Sequence, residues 1–198
     1  MIAKNMKVCG VGVNDADFPI KPKGKLVRSY RVWSHVLNRC YSSKYHKIQP
    51  TYIDCYVEEV WHKYSNFHLW FMDQEPPEQW AIDKDILSQG NKIYSPSFCV
   101  MVPRELNNFT NEHAATRGDL PIGVCYNKKT KYFEAWCNEV NSRKQKFLGS
   151  FRSPEAAHSE YRSFKWEQAK VWIDRIQSDS RYKRKDDLCK GLETRYKI

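Results

Sequence analysis

Between residues 30 and 42 the apolar positions recur at intervals of three and four, with Trp33, Val36, Leu37, Cys40 and Tyr41 on one side of a helical wheel. That spacing predicts an amphipathic helix. Val57, Val60, Trp61, Tyr64, Phe67 and Phe71 repeat the pattern and predict a second helix over 57–72, which Pro76 and Pro77 stop from continuing. The rings fall at helix-face intervals, so they read as core rather than as a platform for stacking bases. From Trp80 to Val102 the apolar runs shorten. Trp80-Ala81-Ile82 and Phe98-Cys99-Val100-Met101-Val102 predict two strands, joined by a polar loop through Gly90 and Asn91. Pro103 suits the first turn of a helix over 104–112.

After the polar hinge Thr116-Arg117-Gly118-Asp119-Leu120-Pro121 the pattern changes again. Three strands are predicted over 122–126, 132–137 and 145–151, linked by short polar turns. A helix follows, with Ser153 as its cap, Pro154 in its first turn and Glu155 near the positive end of its dipole. Ala157, Tyr161, Phe164, Gln168 and Val171 mark the side that packs on the sheet. The expected fold class is α+β: a helical domain with a ββα element, then a three-stranded antiparallel sheet packed on one helix. The domains are an irregular basic arm (1–29), a first domain (30–115), a sheet domain (121–176) and a basic carboxyl-terminal tail (177–198), read as a short helix or a frayed end.

Charge narrows the function. The net charge of +10 favours a polyanionic partner, because neutralising phosphates releases counterions from nucleic acid. Residues 121–198 hold 18 Lys and Arg against 10 Asp and Glu, whereas residues 73–120 hold 4 against 8. The sheet domain is therefore the electrostatic footprint, and the acidic middle suits a cation. Lys21, Lys23, Lys25, Arg28 and Arg31 are further candidates for touching a DNA backbone.

Seven cysteines, with no C-x-x-C pair, signal neither a disulfide framework nor a zinc ribbon. Cys40, Cys55 and Cys99 are expected to be buried thiols, zinc is not expected, and His62 and His68 are read as ordinary surface or core residues. No apolar run approaches membrane-spanning length, and the amino terminus lacks a secretory signal. The expectation is a soluble cytoplasmic protein with no membrane partner.

Trp33, Cys40-Tyr41, Trp61, Phe67, Trp70, Asp83-Lys84-Asp85, Gly90-Asn91-Lys92, Tyr94-Ser95-Pro96, Cys99 and Asn107-Asn108 together resemble bacteriophage HNH (ββα-metal) homing-endonuclease-like proteins. The stretch from Ile122 to Trp172 is similar to the DNA-binding domain of plant ethylene-response factors. Gly123-Val124, Phe133, Ala135, Phe147-Leu148-Gly149-Ser150-Phe151, Pro154-Glu155-Ala156-Ala157 and Tyr161 carry that likeness. The first resemblance implies a phage-type endonuclease, of nicking and homing type, hydrolysing a DNA phosphodiester with Mg²⁺ or Mn²⁺ in the host cytoplasm. It implies Asp83 and Asn107 as metal ligands and Asn91 as the loop asparagine.

One departure divides the readings, because Lys84 stands where the family has its histidine base. Lysine is ordinarily protonated at neutral pH, so it is not assigned as a base. Asp85, read as lying on the same strand face as Asp83, is the alternative proton acceptor, with Lys84 steadying a phosphate oxygen. Metal-bound hydroxide needing little help is a further route. The second reading is a catalytically degenerate HNH-derived protein that binds DNA or modulates a nuclease, and a host or phage protein partner is the third. Oligomeric state stays open.

In the sheet domain, alternation puts Phe133, Ala135 and Cys137 toward the helix and Glu134, Trp136 and Asn138 on the outer face. The second resemblance implies that this outer face meets double-stranded DNA through Asn127, Trp136, Asn138, Gln145 and Phe147, with Cys125 at a comparable place. Lys128, Lys129, Lys131, Arg143 and Lys144 in the turns would grip phosphates. No arginine lies within those strands, so salt-dependent binding with modest sequence preference is expected.

Overall fold

A computed structural model describes residues 7–111 and 118–198, and the chain divides into two compact units, Met1–Arg104 and Glu105–Ile198. Thr116 and Arg117 of the predicted hinge, and Glu112 of the predicted helix end, lie outside the described residues. The class is mixed α+β, as the periodicities predicted. No described helix is long and apolar enough to cross a membrane.

In the first unit, α1 (Arg28–Tyr41) buries Trp33, Val36, Leu37 and Cys40 of the predicted stripe and leaves Tyr41 half-buried. A short α2 (Ser43–Ile48) follows, capped by Ser42, whose Oγ accepts from Tyr45 N. The predicted helix over 57–72 does not form as one piece. Its start is β1 (Tyr56–Val57), then comes a 3-10 turn (Glu59–His62), and only α3 (Tyr64–Asp73) is α-helical. Backbone pairing competes with the helix there. Tyr56 N and Glu58 N donate to Lys92 O and Tyr94 O of β3 (Ile93–Tyr94), which runs parallel to β1. The arm also intervenes, since Val13 N donates to His62 O and Tyr64 N to Val13 O. Apolar residues at helical spacing had hidden a strand and a bridge.

β2 (Trp80–Asp83) pairs antiparallel with β4 (Val100–Pro103), and β4 runs without a break into α4 (Arg104–Thr110). Pro103 therefore ends a strand rather than opening the helix. The core of this unit is aromatic, with Trp33, Trp61, Tyr64, Phe67 and Tyr94 all buried. Arg28 serves this fold, donating to Pro76 O (2.6 Å) and Trp80 O (2.8 Å), and Arg31 reaches Glu78. That engagement removes Arg28 from the candidate backbone contacts. His62 and His68 are hydrogen-bonded to Val57 O and Ser29 Oγ.

The second unit holds an antiparallel sheet in the order β5 (Val124–Asn127), β6 (Tyr132–Asn138), β7 (Gln145–Phe151), crossed by α5 (Pro154–Ser178). Ser153 caps α5 as predicted, its Oγ accepting from Ala156 N. Ala135 and Cys137 of β6 and Ala157, Tyr161 and Gln168 of α5 are buried, while Phe164 and Val171 stay half-exposed. At 25 residues α5 outruns the sheet, and α6 (Lys185–Tyr196) packs on it. Trp172 and Ile176 are buried there with Leu188 and Leu192. Of the two readings of the basic tail, the helix is the one that forms, and it belongs to this unit.

Candidate functional site

Asp83 is the last residue of β2 and is 6% exposed. Its Oδ1 accepts from both Asp85 N and Ile86 N at 2.7 Å, a side-chain turn that ends the strand. Asp85 therefore stands in that turn, off the strand. The expectation that it shares a strand face with Asp83 is corrected by this one interaction. The same two bonds fix the Asp83 carboxylate rigidly.

Lys84 points inward and is only 7% exposed. Its ammonium donates to both carboxylate oxygens of Asp85 at 2.8 Å and to the backbone oxygen of Asn91, and lies 5.9 Å from the Tyr94 ring centroid. Three protons meet three oxygens. An amine so engaged offers fixed positive charge, not a lone pair. Both carboxylate oxygens of Asp85 are engaged by that ammonium.

Asn91 braces the loop between β2 and β3. Its Nδ2 donates to Lys84 O (2.9 Å) and Ile93 O (2.7 Å), and its Oδ1 accepts from Ile93 N (3.0 Å). This is the bonding of a residue that shapes the loop, so Asn91 positions Lys84 rather than facing a reacting group. Asn107 lies half-buried on α4 and belongs to the second unit, whereas Asp83 belongs to the first.

Asp83 offers a carboxylate oxygen and Asn107 an amide oxygen, donor types that hard cations such as Mg²⁺ or Mn²⁺ take. Among the described residues no group of three or more His, Cys, Asp or Glu is placed to hold a metal. Cys40, Cys55 and Cys99 are buried free thiols. Burial pushes the Cys40 thiol up to about 12 and the Cys99 thiol well above its ordinary value.

The sheet of the second unit gathers the remaining candidates. Trp136 and Phe147 are register partners on the outer face, with ring centroids 5.0 Å apart and Phe147 47% exposed. Asn138 and Gln145 face each other one step along, both exposed. Asn127 is more committed than expected. Its Oδ1 accepts from Lys129 N and Thr130 N, closing the β5–β6 turn, and its Nδ2 donates to Glu134 at 2.6 Å.

Lys128, Lys129 and Lys131 stand exposed in that turn, and Lys144 in the next. Arg143 is also exposed but reaches Glu105 at 3.3 Å. Sequence reasoning placed Glu134 on this face without including it in the site. The missing signal was its engagement: Oε2 also accepts from Trp136 Nε1 at 3.1 Å. Strand alternation alone could have raised it.

No family model, curated protein or solved structure matches the chain. The two resemblances therefore rest on the residues themselves.

Proposed function

We infer that the protein is a phage-type, HNH-like DNA endonuclease that uses a divalent metal to hydrolyse a phosphodiester, with its second unit holding the duplex. One observation carries this reading: a rigid, buried acid, Asp83, closes β2, and the antiparallel partner β4 leads directly into the helix that bears Asn107. Strand, braced loop, strand and helix is the order that the chemistry needs. Asp83 and Asn107 would hold the ion, which when bound supplies Lewis acidity at the phosphate and an acidified water.

The chain's own contribution is positioning and charge. Asn91 fixes the loop, and the loop holds the Lys84 ammonium, where its charge would offset charge gathering on a phosphate oxygen. The lysine turn and the Trp136–Phe147 face supply the grip on DNA. A chain with one such site cuts one strand at a time, so nicking is the expected outcome. Homing, meaning a recognised target, would depend on the sheet.

A second reading draws on the Lys84 contacts. With its ammonium held by Asp85 and the Asn91 carbonyl, the loop presents no evident base, and a protein that binds DNA or modulates a nuclease without cutting would look the same. Supercoiled plasmid incubated with Mg²⁺ or Mn²⁺ separates the two. The endonuclease reading expects wild type to form open circles and Asp83→Ala and Asn107→Ala to lose this while still retarding DNA on gels. Retardation without nicking by wild type, even at high protein, would leave the second reading. Lys84→His is informative on either account, since gained cleavage would reveal a site that lacks only its base.

A further inference from the structure

The outer face of the β5–β6–β7 sheet has cations at its rim and an acid at its centre. Glu134 sits on the middle strand between Cys125 of β5 and Ser150 of β7. Its carboxylate is held from two sides, by Asn127 Nδ2 on Oε1 (2.6 Å) and Trp136 Nε1 on Oε2 (3.1 Å), with Cys125 Sγ 4.0 Å from Oε2. A carboxylate oxygen has two lone-pair directions, so Oε1, with one donor, retains room for another. Lys146, the one basic residue within these strands, lies over the Phe164 ring of α5 at 4.8 Å, on the opposite side of the sheet.

A surface meant only to grip phosphate gains nothing from a fixed negative charge at its centre. The arrangement instead separates two tasks. Lys128, Lys129, Lys131 and Lys144 at the rim match phosphates, which position a duplex without reading it, and the central group meets base edges. In the major groove, guanine O6 and N7 and thymine O4 are acceptors, and all are repelled by a carboxylate. Adenine pairs its N6 donor with the acceptor N7 next to it. Cytosine N4 is an amino donor with no acceptor on its own base in that groove and one, guanine O6, across the pair, whereas adenine N6 has an acceptor on either side. The Trp136–Phe147 pair next to Glu134 provides an apolar neighbour for the C5 edge of the same pyrimidine.

We propose that Glu134 is the base-reading residue of this sheet and selects cytosine in duplex DNA through its N4 amino group. The inference rests on the DNA-binding part of the function above. It explains how a sheet without a strand arginine on that face can still discriminate.

The test is selection of bound sequences from a randomised duplex library by the full chain, wild type and Glu134→Gln, near physiological salt. Wild type should enrich a fixed cytosine, and replacing that cytosine by an analogue lacking the 4-amino group should weaken wild-type binding about tenfold. The analogue experiment needs no variant, so it stands even if Glu134→Gln fails to fold. Glu134→Gln should lose the cytosine preference and bind random duplex more tightly at low salt, because a repelling charge has gone. Enrichment of the same cytosine by Glu134→Gln, or equal binding of the analogue, overturns the inference. So does wild-type binding with no cytosine enriched, which leaves DNA binding itself intact. Failure of wild type to bind any duplex at low salt would overturn both.

Discussion

Gly123, just before β5, has φ +80°, and a Cβ built there would lie 2.0 Å from the Tyr161 ring of α5. Backbone conformation and ring packing demand the same residue. Gly123→Ala should lower the stability of the second unit by roughly 2–5 kcal/mol, from ring overlap plus left-handed strain. Gly90 is the control. It has φ +76° but nothing within 4 Å of an added Cβ, so Gly90→Ala should show the strain alone, about 1–2 kcal/mol, in the same denaturant titration. Equal losses at the two positions would mean that Tyr161 yields. In the first unit, Asn91→Ala leaves the carbonyls of Lys84 and Ile93 without their shared donor, and a loss of about 1–3 kcal/mol is expected by the same titration. A change under about 0.5 kcal/mol would remove Asn91 as the brace of the loop.

At the scale of elements, the joint between α5 and α6 depends on an acid. Asp179 follows the last turn of α5, and the Arg181 side chain, with help from its backbone N–H, holds the carboxyl down to about 2. A carboxyl depressed in the folded state stabilises fully above its unfolded value near 3.9, and that contribution fades as pH falls toward 2. Asp179→Asn should thus destabilise the protein at neutral pH and flatten its stability profile between about pH 4 and pH 2. An unchanged profile on thermal melts across that range would dismiss the contact.

Elements were legible where one physical cause dominated. The α1 stripe, the three strands of the second sheet and the Ser153 cap were read correctly because burial on one face, or one hydroxyl on one N–H, decides them. The segment over 57–72 misled because Val57, Val60, Trp61 and Tyr64 keep helical spacing while Tyr56 and Glu58 bond to residues almost forty positions away. Local periodicity carries no record of such pairing. The site divides along the same line. That Glu134 faces outward follows from strand period, whereas the turn of Asp83 onto the N–H groups of Asp85 and Ile86, which ends the strand earlier than expected, and the inward turn of Lys84 onto Asp85 depend on the loop through Asn91 folding back.

For the molecule as a whole, charge is concentrated where the sheet is, with a net of +8 in residues 121–198 out of +10. Five turn cations, Lys128, Lys129, Lys131, Arg143 and Lys144, face solvent, although Arg143 is shared with Glu105. Each neutralised phosphate contributes about −0.9 to the slope of log K against log salt, so a slope of roughly −3 to −5 is expected for duplex DNA. Changing Lys128, Lys129 and Lys131 together to Ala should reduce its magnitude by about 2–3 with little effect on sequence preference. A slope that does not change would place the grip elsewhere, for example on the arm lysines. The central claim, however, is that this grip delivers DNA to an ion held by Asp83. Its most direct measurement is the rate of Mn²⁺-dependent plasmid nicking by wild type and Asp83→Ala at equal DNA occupancy, with EDTA as control. The account predicts open circles from wild type only, abolished by EDTA and lowered at least a hundredfold in the variant. Equal rates in the two proteins, or no cutting by a wild type that occupies the DNA, would contradict it.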